Sequence, residues 1–177
     1  MQETEIKLKY NSMYRNSLIK KCLEMGFERI DKRKEIDTYY NHTHKNLLLC
    51  DQALRIRNIS SKDGKKCIVT FKGANKMQGL QCREELEMFV GDSKIFHNIL
   101  EQLGFFVLLQ VEKERLYLKR RNVQICVDEV VGLGSYFEIE ILDKKTAIED
   151  VWKLIKEINV IEAEIEKKTY LELILEK

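Results

Sequence analysis

The chain has 177 residues, 34% charged and 44% hydrophobic, with 31 basic against 29 acidic side chains. This composition excludes a disordered chain and allows one substantial hydrophobic core. A net charge of only +2 gives no indication of general electrostatic capture of nucleic acid while allowing a local basic site, and no apolar run approaches the ~20 residues of a membrane-spanning helix.

The elements follow in chain order. Residues 2–10 read as a strand, with a charged start where a signal peptide would stand. Asn11 or Ser12 can cap a helix that runs to about Met25 and stops at Gly26. Strands are expected over 36–41, 53–59, 66–73, 82–90, 110–120, 122–131 and 135–142. Between them, Asp92 caps a helix that reaches Leu103 and stops at Gly104. Thr146 and Glu149 have the spacing of a capping box, opening a helix with Val151, Trp152, Ile155 and Ile158 on its apolar stripe. A short helix over 169–176 ends the chain. The turns at 60–64 and 132–134 join neighbouring strands as hairpins.

A strand, a helix and then Gly-Phe occur twice, ending at Phe27 and at Phe105, which suggests two similar halves. The lack of proline, linker or low-complexity tract argues for one domain over 1–177. Cys22, Cys50, Cys67, Cys82 and Cys126 are scattered and form no Cys-x-x-Cys pair, as expected of reduced thiols in a cytoplasmic protein.

The charges themselves carry a pattern. Glu3, Glu5 and Lys7 occupy alternate positions, as do Arg55 and Arg57, Arg83 with Glu85 and Glu87, Lys113 and Arg115, and Glu138 and Glu140. Alternate side chains of a strand share a face, and the intervening residues here are mostly apolar. Several strands therefore have one greasy face and one charged face. Either the sheet has a wet outer surface or the charges line a barrel. Carboxylate pairs such as Glu3 with Glu5, and Glu138 with Glu140, can share a divalent cation of the magnesium or manganese type. Lys7, Arg55, Arg57, Lys72, Arg83, Lys113 and Arg115 can clamp a polyphosphate through charge-assisted hydrogen bonds. On any one strand, cross-strand Glu–Lys pairing on a solvated face explains the pattern equally well. His42 and His44 read as loop histidines rather than a metal site, and Tyr39 or Tyr40 could orient a reacting group or pack. Gly132-Leu133-Gly134 precedes a strand, so it is not a phosphate-binding glycine loop.

The opening Glu3-x-Glu5-x-Lys7 resembles the signature of the CYTH superfamily, the triphosphate tunnel metalloenzymes. The resemblance continues through Asp37-Thr38-Tyr39-Tyr40, Leu54-Arg55-Ile56-Arg57, Thr70-Phe71-Lys72-Gly73, Arg83-Glu84-Glu85-Leu86-Glu87 and Lys113-Glu114-Arg115. It closes with Asp128-Glu129-Val130-x-Gly132-Leu133-Gly134-x-x-Phe137-Glu138-Ile139-Glu140 and so covers nearly the whole chain. The sequence is most similar to the class IV adenylyl cyclase branch.

The resemblance implies an α+β fold, an eight-stranded antiparallel barrel with a charged tunnel and helices packed outside. It implies that Glu3, Glu5, Glu138 and Glu140, with Asp128 nearby, hold Mg2+ or Mn2+. The seven basic residues would grip the triphosphate, with catalytic roles for Glu5, Lys72, Lys113, Arg115 and Asp128. Glu85 and Glu87 would balance the basic lining. The implied substrate is ATP or another triphosphate, turned over to cyclic AMP and pyrophosphate or hydrolysed. A homodimer is implied as well. A non-catalytic module that holds a polyphosphate or nucleotide is the contrasting reading.

Overall fold

The computed structural model describes residues 2–75, 81–142, 148–158 and 163–177. Among these residues, nine strands and four helices form in the order β1 (Gln2–Tyr10), α1 (Arg15–Glu24), β2 (Glu28–His42), β3 (Ala53–Ser61), β4 (Gly64–Lys72), β5 (Gln81–Phe89), α2 (Ser93–Gln102), β6 (Phe105–Arg120), β7 (Val123–Val130), β8 (Gly134–Ile141), α3 (Ile148–Ile158), β9 (Glu164–Glu166) and α4 (Tyr170–Leu175). The order β-α-β-β-β occurs twice, at β1–β4 and at β5–β8.

All strands join one antiparallel sheet in the order β5-β4-β3-β2-β6-β7-β8-β1-β9. β5, the first strand of that order, also pairs with the first half of β1, placing Glu3 opposite Arg83 and Glu5 opposite Gln81. The second half of β1 pairs with β9 instead, from Lys7 to Lys9. The sequence gives no signal for this ninth strand, a three-residue Glu-Ile-Glu segment too short to show a period.

Element types agree with the sequence, while several boundaries move. β2 starts at Glu28 rather than 36, and β6 at Phe105 rather than 110. These two long strands pair along nearly their whole length, from Glu28 opposite Lys119 to His42 opposite Phe105. The added stretch of β2, Glu28 to Lys34, is charged and largely exposed, so it lacks the apolar alternation that marks a strand. Asn11 caps a 3-10 turn, Ser12–Tyr14, that leads into α1. Gly26 and Gly104 have φ of 83° and 88°, the left-handed conformation expected where each helix hands over to a strand. In α3 the buried positions are Val151, Leu154 and Ile158, while Trp152 is exposed, contrary to the expected stripe. Thr146, the expected cap of this helix, lies outside the described residues.

The helices cover the apolar face of the sheet. Leu18, Ile19 and Cys22 of α1 and Val151, Leu154 and Ile158 of α3 pack with Ile6, Leu8, Leu116, Leu118, Ile125, Val127, Phe137 and Ile139 of β1, β6, β7 and β8. Leu100 of α2 packs with Tyr40, Ile56, Cys67 and Val69 of β2, β3 and β4. Burying each such large side chain contributes roughly 1.5–3 kcal/mol. The charged face is the opposite one, and it is buried too: Glu35, Asp37 and Asp128 are fully enclosed and Lys113 is 1% exposed. The alternation therefore belongs to a charged interior rather than to a wet outer surface. Among the described residues, no helix is long and apolar enough to cross a membrane.

Candidate active site

Seven strands and the C-terminal segment contribute to one cavity of about 80 Å³, lined by Glu5, Lys7, Tyr39, Ala53, Arg55, Arg57, Lys72, Arg83, Lys113, Arg115, Glu138, Thr169, Tyr170 and Leu171. All seven basic residues singled out from alternation line it, together with Glu5 and Glu138. Pairing brings them there from distant sequence, since Arg55 and Arg57 on β3 and Lys113 and Arg115 on β6 flank the same central strand, β2. A wider surface groove of about 1040 Å³ lies elsewhere, around Met25, Lys119 and Asn122, and contains none of these residues.

A row of acids stands behind the basic residues. Asp37 accepts hydrogen bonds from Arg57 Nε at 2.6 Å, Arg57 Nη2 at 2.8 Å, Lys113 Nζ at 2.8 Å and Arg55 Nη1 at 3.4 Å. Burial opposes its charge, yet Arg57, Lys113 and Arg55 hold its carboxyl well below the ordinary range. Glu35, one turn of the pleat away, lies 3.3 Å from Arg57 and 3.4 Å from Lys113 and accepts from the Tyr117 hydroxyl at 2.8 Å. Burial opposes ionisation here as well, and Arg57, Lys113 and Arg115 bring Glu35 down to about 2. Both acids are therefore anions at neutral pH, fixing the basic heads by charge-assisted bonds. Glu35 and Asp37 were missed as site residues, although their alternate spacing repeats that of Glu3 and Glu5.

Arg115 Nε donates to Asp128 Oδ1 at 2.7 Å, and its Nη2 contacts both Asp128 and Glu138. Lys7 Nζ lies 3.9 Å from Glu138. Burial pushes Asp128 upward against the pull of Arg115. Burial also opposes Glu138, but Arg115, Lys7, Lys113 and Lys72 keep it low. The two carboxylates that share Arg115 thus differ in proton affinity. Asp128 also accepts from the Tyr170 hydroxyl at 2.8 Å. It sits beneath the cavity rather than in its wall, as a support for Arg115. Tyr170 comes from α4, far from every motif in sequence, and no alternation points to it.

On β4 and β5, Lys72 pairs with Glu85, and Thr70 Oγ1 donates to Glu87 at 2.7 Å. Arg83 Nη1 donates to the carbonyls of Asp51 at 2.9 Å and Gly73 at 3.2 Å, which ties β5 to the neighbouring loops. Two donors stand out. Arg55 and Arg83 line the cavity, and the Nε of each is buried and meets no acceptor among the described residues. Buried donors without partners are rare in folded proteins, and in a cavity wall they favour an anion with several oxygens.

The carboxylates expected to hold a metal occupy neighbouring strands. Across β1 and β8, Glu5 lies opposite Glu140 and Lys7 opposite Glu138. Glu140 accepts from Gln124 Nε2 at 2.6 Å and is not part of the cavity wall. The side chain of Glu3 lies outside the described residues. No group of three or more His, Cys, Asp or Glu among the described residues is gathered around one point. The donor chemistry nevertheless fits, because an oxygen-only pair such as Glu5 and Glu138 beside a phosphate-sized cavity suits magnesium or manganese, which fill their shells with water and phosphate oxygens.

The remaining candidates resolve simply. His42 Nε2 lies 3.1 Å from the Leu103 carbonyl and its Nδ1 accepts from the His44 amide at 3.1 Å, so both ring nitrogens are engaged within the protein. Tyr39 lines the cavity, whereas Tyr40 faces α2 and meets His97 Nδ1 at 2.9 Å.

The CYTH domain family model matches residues 1–170. A Methanocaldococcus jannaschii protein named as a candidate adenylate cyclase is 32% identical, over 98% of each chain. Among solved structures, a protein of Pyrococcus horikoshii superposes with a TM-score of 0.87 at 32% identity, over 98% of each chain. A candidate adenylyl cyclase from Hippeastrum, described as having a dominant triphosphatase activity, superposes with a TM-score of 0.71 at 20% identity, over 98% of this chain and 95% of its own. At that identity the likeness concerns the fold.

Proposed function

The chain belongs to the CYTH family, and from that premise we propose that it is a divalent-metal-dependent enzyme that acts on a triphosphate held among the seven basic residues. The preferred reaction is that of an adenylyl cyclase, converting ATP to cyclic AMP and pyrophosphate, in keeping with the name of the 32% identical relative. The chain acts as one domain whose sheet curls into the family's tunnel, a reading that the β5–β1 pairing supports.

The carrying observation is the set of seven basic residues lining one cavity, of which Arg55 and Arg83 each keep a buried Nε with no acceptor among the described residues. Phosphoryl and nucleotidyl transfer need charge neutralisation and in-line positioning more than a covalent protein group. Lys7, Arg55, Arg57, Lys72, Arg83, Lys113 and Arg115 supply both, with Glu35 and Asp37 keeping the heads of Arg55, Arg57 and Lys113 from rearranging. Glu5 and Glu138, with Glu140 and Glu3, would hold the metal, which when bound supplies charge neutralisation and acidifies the attacking hydroxyl. Arg115 and Lys113 meet the negative charge that develops on the departing phosphates.

Hydrolysis on the same scaffold is the second reading. It is favoured by a cavity wall in which, among the described residues, Tyr39, Ala53, Tyr170 and Leu171 alone offer apolar surface for a base.

The test is product analysis with ATP and with tripolyphosphate, in magnesium or manganese, from pH 7 to 10. Cyclic AMP with pyrophosphate identifies the cyclase, and orthophosphate alone identifies the hydrolase. Glu5→Gln and Glu138→Gln should lower turnover at least about 100-fold while the fold survives, and chelation should abolish it. Full activity in both variants would rule out the metal assignment.

A further inference from the structure

The charged interior can be followed layer by layer along the β2–β6 pairing, because residues directly opposite one another share a face. Its layers include Tyr39 with Leu109, then Glu35 with Lys113, then Arg33 with Arg115, and then Asp31 with Tyr117. From these strands the cavity wall takes Tyr39, Lys113 and Arg115, whereas Arg33, Asp31 and Tyr117 lie outside it. On β8 the same limit falls after Glu138, since Glu140 lies outside the wall and is engaged by Gln124. Both sides of the interior thus place the end of the cavity at one level.

Tyr117 stands at that level and is held at its backbone, its tip and its ring. Its strand is central, with Asp31 of β2 on one side and Cys126 of β7 on the other. Its hydroxyl donates to Glu35 at 2.8 Å. The guanidinium carbon of Arg33 lies 4.4 Å from the ring centre, and that of Arg115 lies 5.8 Å from it. Arg33 is fixed in turn, because its Nε donates to Asp31 at 2.6 Å. Burial, with Glu35 alongside, raises the phenol above its ordinary value against the pull of Arg115, so the hydroxyl keeps its proton and remains a donor. Arg115 belongs to the cavity wall, while the Arg33 side chain is 31% exposed outside it. The buried ring therefore parts the anion cavity from the solvent that reaches Arg33.

We propose that the anion site is blind, with Tyr117 as its floor, so that it takes a phosphate chain by a free end and refuses the middle of one. The proposal rests on the reading of the cavity as a triphosphate site, and it narrows the ligands to chains with an unesterified terminal phosphate. A chain running through would have to push the ring off Glu35 and then pass that carboxylate, which is an anion at neutral pH. A clash of shape combined with a like charge is how a site excludes the wrong ligand. Tyr117 supplies the first and Glu35 the second, so both act as specificity-determining residues.

The test uses the full chain with sodium tripolyphosphate and a long linear polyphosphate, in chelator so that no metal-dependent turnover intervenes. Calorimetry gives the affinity and the number of proteins per chain, counting only protein that excess tripolyphosphate displaces. The wild type should saturate at two proteins per long chain, one at each end, with an affinity per end equal to that for tripolyphosphate. Tyr117→Phe, which keeps the ring, should behave alike. Tyr117→Ala removes the floor, so more than two proteins should thread onto one chain and the affinity should rise several-fold with chain length. Circular dichroism checks its fold, and Tyr117→Val takes its place if the alanine variant is unfolded. More than two wild-type proteins per chain would overturn the blind site while leaving the triphosphate reading intact. Two per chain in the folded opened variant would overturn the role of Tyr117. Absence of tripolyphosphate binding by the wild type would overturn the anion site itself, and the floor with it.

Discussion

Asp37 shows how a single side chain can organise a site without touching its ligand. Arg55, Arg57 and Lys113 all donate to it, and it is fully buried. Replacing it by Asn leaves three buried cations short of one anion, a change that typically costs about 3–5 kcal/mol. We expect Asp37→Asn to unfold at correspondingly lower urea, and tripolyphosphate to restore more stability to the variant than to the wild type, because the ligand supplies the missing charge. Equal ligand-induced shifts in the two proteins would mean that the polyanion does not neutralise these heads. Glu35 makes the pH dependence explicit. Its carboxyl falls from 4.5 to about 2 on folding, so the stability it contributes is complete above pH 4.5. That stability is lost as pH falls through about 2. Glu35→Gln should therefore flatten the acid limb of a stability curve between pH 4.5 and 2 while leaving the slope near neutrality unchanged. An unchanged acid limb would show that the ion pairs with Arg57 and Lys113 do not stabilise the fold.

At the scale of elements, what the sequence revealed depended on periodicity. Arg55 and Arg57 alternate with Leu54 and Ile56, which pack with α2, and the Lys113 and Arg115 pair shows the same two-residue spacing beside Glu112 and Glu114, so their strands and their shared face were legible. Glu28 to Lys34 is charged at nearly every position, and Phe105 to Leu109 is apolar at every position, so neither half of the long β2–β6 pairing shows a period. Tyr170 was hidden for another reason, since a six-residue helix brings in its side chain with no alternation. The two helix-to-strand glycines share a sequence context and a conformation but not an environment. A Cβ at Gly26 would meet nothing nearer than Arg120 Cδ at 3.8 Å, whereas one at Gly104 would meet Thr43 Oγ1 at 3.1 Å and His42 Nε2 at 3.2 Å. Gly26→Ala should lose roughly 1–2 kcal/mol through left-handed strain alone. Gly104→Ala should lose more, because the added methyl also crowds the end of β2. Urea denaturation of the two variants compares them, and equal losses would remove the steric part of the argument.

For the whole molecule, the matter is why a chain would bury so many charges. Ionised groups taken from water are expensive unless paired, and replacing buried ion pairs by apolar residues is often stabilising. Here Glu35, Asp37, Asp128 and Glu138 face Lys7, Arg55, Arg57, Lys113 and Arg115 inside one sheet, an arrangement a merely structural interior has no need of. The arrangement is suited to binding a multiply charged anion in a low-dielectric site, where each contact is stronger than in water. The stability of the whole fold should then depend on such an anion. At about 100 times its dissociation constant, a ligand that binds only the native state adds roughly 2.7 kcal/mol. For a chain of this size that corresponds to a rise of about 5–10 °C in Tm. Tripolyphosphate should produce this rise even after chelation, since the basic residues alone bind it, while sulfate at equal ionic strength should produce little. A thermal scan with each anion separates the possibilities. Equal shifts with sulfate and tripolyphosphate would mean that the interior senses ionic strength rather than a bound triphosphate.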